Sequence, residues 1–189
     1  MIQERDAMPF KAKIFQKNVE HLQPTSVRDE LLRTCSSYIE LTTPKQKAHC
    51  IFDMMSVLDR SLDESKRREI MESCGRHCIG ASILEKARRL WQQEEDLDSF
   101  LISLNKSHIG GGQLSRSGDI IFATYNRCYC GSVSHSKLPF SSTYCRCSCG
   151  WFKHLFETVL RKQVEVTLLS SIIQGDKHCT FAISFITDS

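Results

Sequence analysis

Ser142-Thr143-Tyr144-Cys145-Arg146-Cys147-Ser148-Cys149-Gly150-Trp151-Phe152-Lys153-His154-Leu155-Phe156-Glu157 is the stretch on which the fold turns. From Cys149 onward, Phe152, Leu155, Phe156, Val159 and Leu160 recur at three- and four-residue steps. That spacing predicts a helix over 149–160 with one apolar face. Before it, the alternation through Cys145 and Cys147 has a period of two and predicts a strand over 142–147. Ile120, Ile121, Phe122 and Tyr125 predict a partner strand over 119–130. Downstream, 164–173 and 179–186 are β-rich, with Gln174-Gly175-Asp176-Lys177 as a hairpin-length turn. The order is therefore β, β, helix, β, β.

Upstream the character changes. None of the nine glycines precedes Gly75, and residues 1–105 carry 16 basic and 17 acidic side chains against 9 and 5 in 106–189. Ser26 with Asp29 resembles a shortened capping box ahead of Leu31, Leu32, Cys35 and Ile39. Thr43 followed by Pro44 opens a second helix carrying Ile51, Phe52, Met55, Leu58 and Leu62. A third spans 63–73, with Gly75 as a left-handed C-cap. Two more cover 82–93 and 97–104, and Ser107-His108-Ile109-Gly110-Gly111-Gly112 reads as a flexible turn. The fold class is α+β, a helical half (1–107) packed on a small antiparallel sheet in a cysteine-rich half (108–189), together one compact domain.

At 189 residues, 41% hydrophobic and 25% charged, the chain can bury a core without staples. A net charge of +3 leaves no nucleic-acid footprint, and Lys66-Arg67-Arg68 lacks interleaved aromatics. Residues 1–14 lack the apolar region of a secretory signal, and no apolar run is long enough for a membrane helix. A cytoplasmic location with reduced thiols is expected.

Ten cysteines in such a chain point to metal or thiol chemistry rather than disulfides. Cys128 and Cys130, and Cys145 and Cys147, form two C-x-C pairs; on paired strands each would present two sulfurs to one face. Four thiolates suit tetrahedral zinc. Cys74-Gly75-Arg76-His77-Cys78 makes Cys74 and Cys78 alternate ligands. Core packing and redox or catalytic use of the same thiols stay open. Cys149, at the expected helix start, or Cys147 just before it, is the nucleophile candidate, because a helix N-terminus favours thiolate. His154 and Glu157 share a helical face and are candidates to move protons. Cys35, Cys50 and Cys179 read as core.

From Cys145 through Trp151, then Val164-Glu165-Val166, then Gly175-Asp176 and Cys179-Thr180-Phe181, the pattern resembles a small-molecule-binding superfamily. It contains 4-vinyl reductase domains, hydrocarbon-binding proteins and aminothiazoline-carboxylate hydrolase-like proteins, including bacterial relatives of the last. The resemblance covers about 119–186. It implies an α+β sandwich with an apolar pocket, a small-molecule ligand and, in several members, cysteine-bound zinc. Trp151, Phe152, Phe156 and His108 are the pocket residues expected here. The leading expectation is a zinc-binding domain with a mainly structural metal that holds a small, partly apolar ligand. The alternatives are a zinc- or thiol-dependent hydrolase of a C–N bond in a cyclic or amidine-like substrate, and a redox-responsive thiol switch. No nucleic acid or membrane partner is expected, and a homodimer is left open.

Overall fold

The computed structural model describes residues 10–186. The stretch 1–14, read above for a signal, lies largely outside them. Helix α1 (Ala12–Val19) was not anticipated by periodicity. Helix α2 (Thr25–Glu40) follows Pro24, and no side chain caps it, so the Ser26 and Asp29 capping box does not form; Asp29 instead accepts from Arg28 at 2.9 Å. Helix α3 (Pro44–Ser61) opens as expected, with Thr43 and Gln46 forming a reciprocal capping box and Pro44 at the first position.

Helix α4 (Glu64–Arg76) is capped by Asp63, whose carboxylate accepts from the Lys66 N–H at 2.8 Å. It runs through Gly75, which is an interior residue and not a C-cap. The glycine answers a different need: a Cβ there would stand 1.8 Å from the Cys147 carbonyl oxygen. Helices α5 (Ala81–Gln93) and α6 (Leu97–Lys106) follow. A 3-10 turn at Ile109–Gly112 then puts Gly110, Gly111 and Gly112 at positive φ and sets Gly110 against Phe152 and Gly111 against Tyr125.

Strands β1 (Leu114–Ser117), β2 (Ile120–Tyr125), β3 (Val164–Ser170) and β4 (Cys179–Phe185) make one antiparallel sheet in the order β1-β2-β4-β3. Ala123 pairs with Phe181, and Val166 with Ile183. The α+β class and the ββαββ order stand, but the first strand is Leu114–Ser117. Residues 142–147 are not a strand. They begin helix α7 (Ser142–Leu160), whose inner face lays Leu155, Phe156 and Phe152 on the sheet, Phe152 lying 5.1 Å from Phe181 between ring centroids.

Two apolar cores result. One joins α5, α6, the sheet and most of α7 around Phe100, Phe152, Phe156 and Phe181. The other joins α1 to α4 around Phe15, Ile51, Met54 and Met71, and takes in Val133, Phe140 and Tyr144 from the loop before α7 and its first turn. Among the described residues, no helix is long and apolar enough to cross a membrane.

Candidate thiol site

The site is organised by the crossing of α4 on α7. Gly75 meets the Cys147 carbonyl, and a Cβ on Gly150 would stand 1.9 Å from the carbonyl oxygen of Glu72. Two glycines thus let the backbones touch where side chains would hold them 8–10 Å apart. Ion pairs lock the crossing. Lys153 donates to Glu72 at 3.1 Å and to Glu165 at 3.2 Å, Arg68 bonds both carboxylates, and Arg76 pairs with Glu157 at 2.7 Å.

At the end of that crossing the turn after α4 carries Cys78, and its sulfur lies 3.8 Å from that of Cys147. The hydrogen bond between them lowers the Cys78 pKa, while the same bond, with burial, raises that of Cys147. Cys128 and Cys130 form the second pair on the loop after β2. A hydrogen bond from Cys130 brings the Cys128 thiol down to about 7, against burial. The bond to Cys128 and burial push Cys130 well up, and the charges of Cys128, Cys145 and Cys78 add to this. Cys130 also raises Cys147, so the two pairs lie within reach of each other's charge. All four are partly buried. Cys78 packs on the sheet-side core, and Cys128, Cys130 and Cys147 on the helical core, which puts the thiols at the seam.

The helical state of 142–149 rearranges the expected set. Residues two apart on a helix point about 200° from each other, so Cys145 and Cys147 cannot share a face. Cys145 is buried with its sulfur 3.0 Å from Ser171 Oγ, and burial pushes its thiol up to about 12. Cys74 is buried inside α4 with its sulfur 3.5 Å from Asn18 Nδ2, and its thiol too is pushed up to about 12, chiefly by burial. Cys149 sits two turns inside α7 rather than at its start. Fully buried beside Glu72, it is pushed up to about 11 by burial and then by that carboxylate, which removes the basis for a thiolate nucleophile. Among the described residues, no three Cys, His, Asp or Glu side chains are already gathered about one point. The thiols approach as pairs.

The other candidates are placed apart from the thiols. His154 is seven residues along α7 from Cys147, a rise of about 10 Å, and its Nδ1 lies 3.4 Å from Thr158 Oγ1. Burial and then Arg76 lower its pKa. Glu157 is held by Arg76 and faces the Val164 N–H at 3.5 Å. Trp151, Phe152 and Phe156 are 5%, 0% and 0% exposed, packed as core rather than around an opening. His108 is exposed, in the left-handed conformation, on the turn after α6. Cys35, Cys50 and Cys179 are buried as expected. An open groove of about 750 Å³ between α2 and α3, lined by Arg33, Lys45, His49, Asp53 and Leu41 among others, had no signal in the sequence. Its residues are spread over two helices with no shared spacing.

No curated protein matches the chain. Residues 9–188, nearly its whole length, match the family described as "Family of unknown function (DUF6144)", and the chain belongs to that family.

Proposed function

We propose that the chain is a zinc-binding protein whose metal is mainly structural, held by Cys78, Cys128, Cys130 and Cys147. One observation carries the reading: the 3.8 Å between the sulfurs of Cys78 and Cys147. Thiolates at about 2.3 Å around a tetrahedral zinc stand about 3.8 Å apart. Closing the tetrahedron requires the loop after β2 to carry the second pair onto the first. A four-thiolate site leaves no position for an activated water, which favours a structural over a hydrolytic metal. Zinc there would fasten three segments at the seam of the cores: the turn after α4, the loop after β2, and α7. Reduced thiols of this kind fit a cytoplasmic setting.

Metal analysis of protein purified under reducing conditions tests this. The expected content is about one zinc per chain, lost in Cys130→Ser and Cys147→Ser and retained in Cys145→Ser and Cys149→Ser. Zinc-free wild-type protein, or zinc retained without Cys147, overturns the reading.

The small-ligand expectation is the second reading, and the groove between α2 and α3 favours it. Arg33, Lys45 and His49 beside Leu41 suit a small carboxylate with an apolar body. Native mass spectrometry of protein taken from cells tests for a carried-over compound; a bare chain at native mass counts against it.

A further inference from the structure

We propose that a peroxide converts Cys78 and Cys147 to a disulfide and so expels the zinc, making the site a releasable clamp on the loop after β2. The inference rests on the zinc site proposed above and adds its regulation. A disulfide has its sulfurs about 2.05 Å apart, so this pair must close by about 1.8 Å from 3.8 Å. The two ends differ in freedom. Cys147 is fixed mid-helix, its carbonyl pressed on Gly75. Cys78 lies in the short turn between α4 and α5, tied locally by its N–H to the Gly75 carbonyl at 2.9 Å. The turn supplies the movement, and the partial exposure of Cys78 gives a small oxidant access.

The surroundings withdraw six of the other thiols. Cys35 and Cys50 donate to the carbonyls of Ala12 and Thr34 at 3.3 and 3.2 Å, Cys145 is bonded to Ser171, and Cys179 accepts from the Ile172 N–H at 3.4 Å. Those four are buried, as are Cys74 and Cys149. Cys128 and Cys130 are close in sequence on one loop, so joining them would bridge no two elements. Joining Cys78 to Cys147 links the α4–α5 turn to α7.

The chemistry balances with peroxide as oxidant. The Cys78 thiolate attacks one peroxide oxygen; an S–O bond forms, the O–O bond breaks, and hydroxide leaves. The Cys147 thiolate then attacks the Cys78 sulfur; the S–S bond forms, the S–O bond breaks, and a second hydroxide leaves. Two protons convert both hydroxides to water, and the two electrons lost by sulfur are gained by the peroxide. Zinc keeps only Cys128 and Cys130 and dissociates.

The test uses the full chain as purified, its zinc content measured first. Hydrogen peroxide is added with a chromogenic zinc chelator, and the products are alkylated, digested with trypsin and mapped by mass spectrometry. The expected result is release of about one zinc per chain, loss of two free thiols, a disulfide between the peptides 77–86 and 147–153, and reversal by dithiothreitol. Because 147–153 also contains Cys149, the Cys149→Ser variant is run in parallel and should give the same disulfide. Unchanged thiols and retained zinc overturn the inference, as does a disulfide confined to Cys128 and Cys130. The zinc content before peroxide judges the metal site by itself. The disulfide map is read equally on metal-free chain, so the two failures are distinguishable.

Discussion

Gly75 and Cys147 meet backbone to backbone, with room for no atom between the glycine Cα and the cysteine carbonyl: an added Cβ would lie 1.8 Å from that oxygen. The neighbour is main chain, so no rotamer change relieves the clash, and α4 must shift off α7. Gly75→Ala should cost about 3 kcal/mol or more, the upper range for overpacking, and weaken retention of the proposed zinc with it. Gly80→Ala is the control, since its Cβ would meet nothing nearer than Ser82 Oγ at 3.8 Å. Urea unfolding midpoints check both; equal midpoints for Gly75→Ala and wild type would sink the account of the crossing.

With zinc held as proposed, its removal should loosen one loop before it unfolds the domain. A metal present at a thousandfold over its Kd adds about 4 kcal/mol, and chelation should withdraw that amount. Arg127 and Lys137 flank the Cys128 and Cys130 pair and offer trypsin two cutting sites. Cleavage there should be fast in chelator-treated protein and slow in zinc-loaded protein. Identical cleavage rates would refute a clamping role for the metal.

Asp59 should give the chain an acid-sensitive limb. Burial raises its pKa, but the neighbouring Ser141 hydroxyl and hydrogen bonds from Thr143 and Arg67 outweigh that and hold the carboxyl below its ordinary value. Thr143 donates at 2.6 Å and Arg67 at 2.7 Å, tying α3 and α4 to the first turn of α7. A depressed folded-state pKa stabilises above the unfolded value of about 3.9. That contribution is lost as pH falls through the folded value. Asp59→Asn should cost about 1–3 kcal/mol at neutral pH and flatten the stability profile below pH about 4. Thermal melts across the acid range measure it; parallel profiles for the two proteins would contradict the assignment.

Lys153 is a largely buried charge held between two carboxylates. Its side chain is 13% exposed between Glu72 and Glu165, and Glu72 is itself 11% exposed. Lys153→Met strands two carboxylates on Arg68 and should cost about 3 kcal/mol, typical of breaking a buried pair. Adding Glu72→Gln should recover part of that loss, because one stranded charge is removed. A double variant less stable than the sum of the two single losses would reject this coupling.

Much of this architecture is legible in the sequence where local chemistry decides structure. Thr43 before Pro44 fixes the start of α3 by capping alone. The apolar spacing from Phe152 to Leu160 likewise fixes the inner face of α7. Reading fails where tertiary contact decides. The alternation of Cys145, Cys147 and Cys149 has the period of a strand, yet the backbone contacts of Gly75 and Gly150 bring that segment in as helix. Gly75 illustrates the ambiguity: a helix C-cap and a close helix crossing both call for glycine. Strand β1 escapes notice because only Leu114 in it is buried.

The site follows the same division. The sequence singles out Cys128, Cys130 and Cys147 among the expected ligands and names Cys78 as an alternate; the structure sets Cys78 beside Cys147. Exchanging Cys145 for Cys78 depends on helical phase, which turns Cys145 to Ser171 and Cys147 to the turn after α4.

The core around α1 to α4 is finished by Val133, Phe140 and Tyr144, which come after α5, α6 and two strands in the chain. On the ribosome, the first four helices therefore emerge well before their covering residues and expose an apolar seam while the middle of the chain is made. α7 enters both cores; Tyr144 in its first turn brings the last buried residue of the helical core, whereas the sheet-side core closes only when β3 and β4 follow.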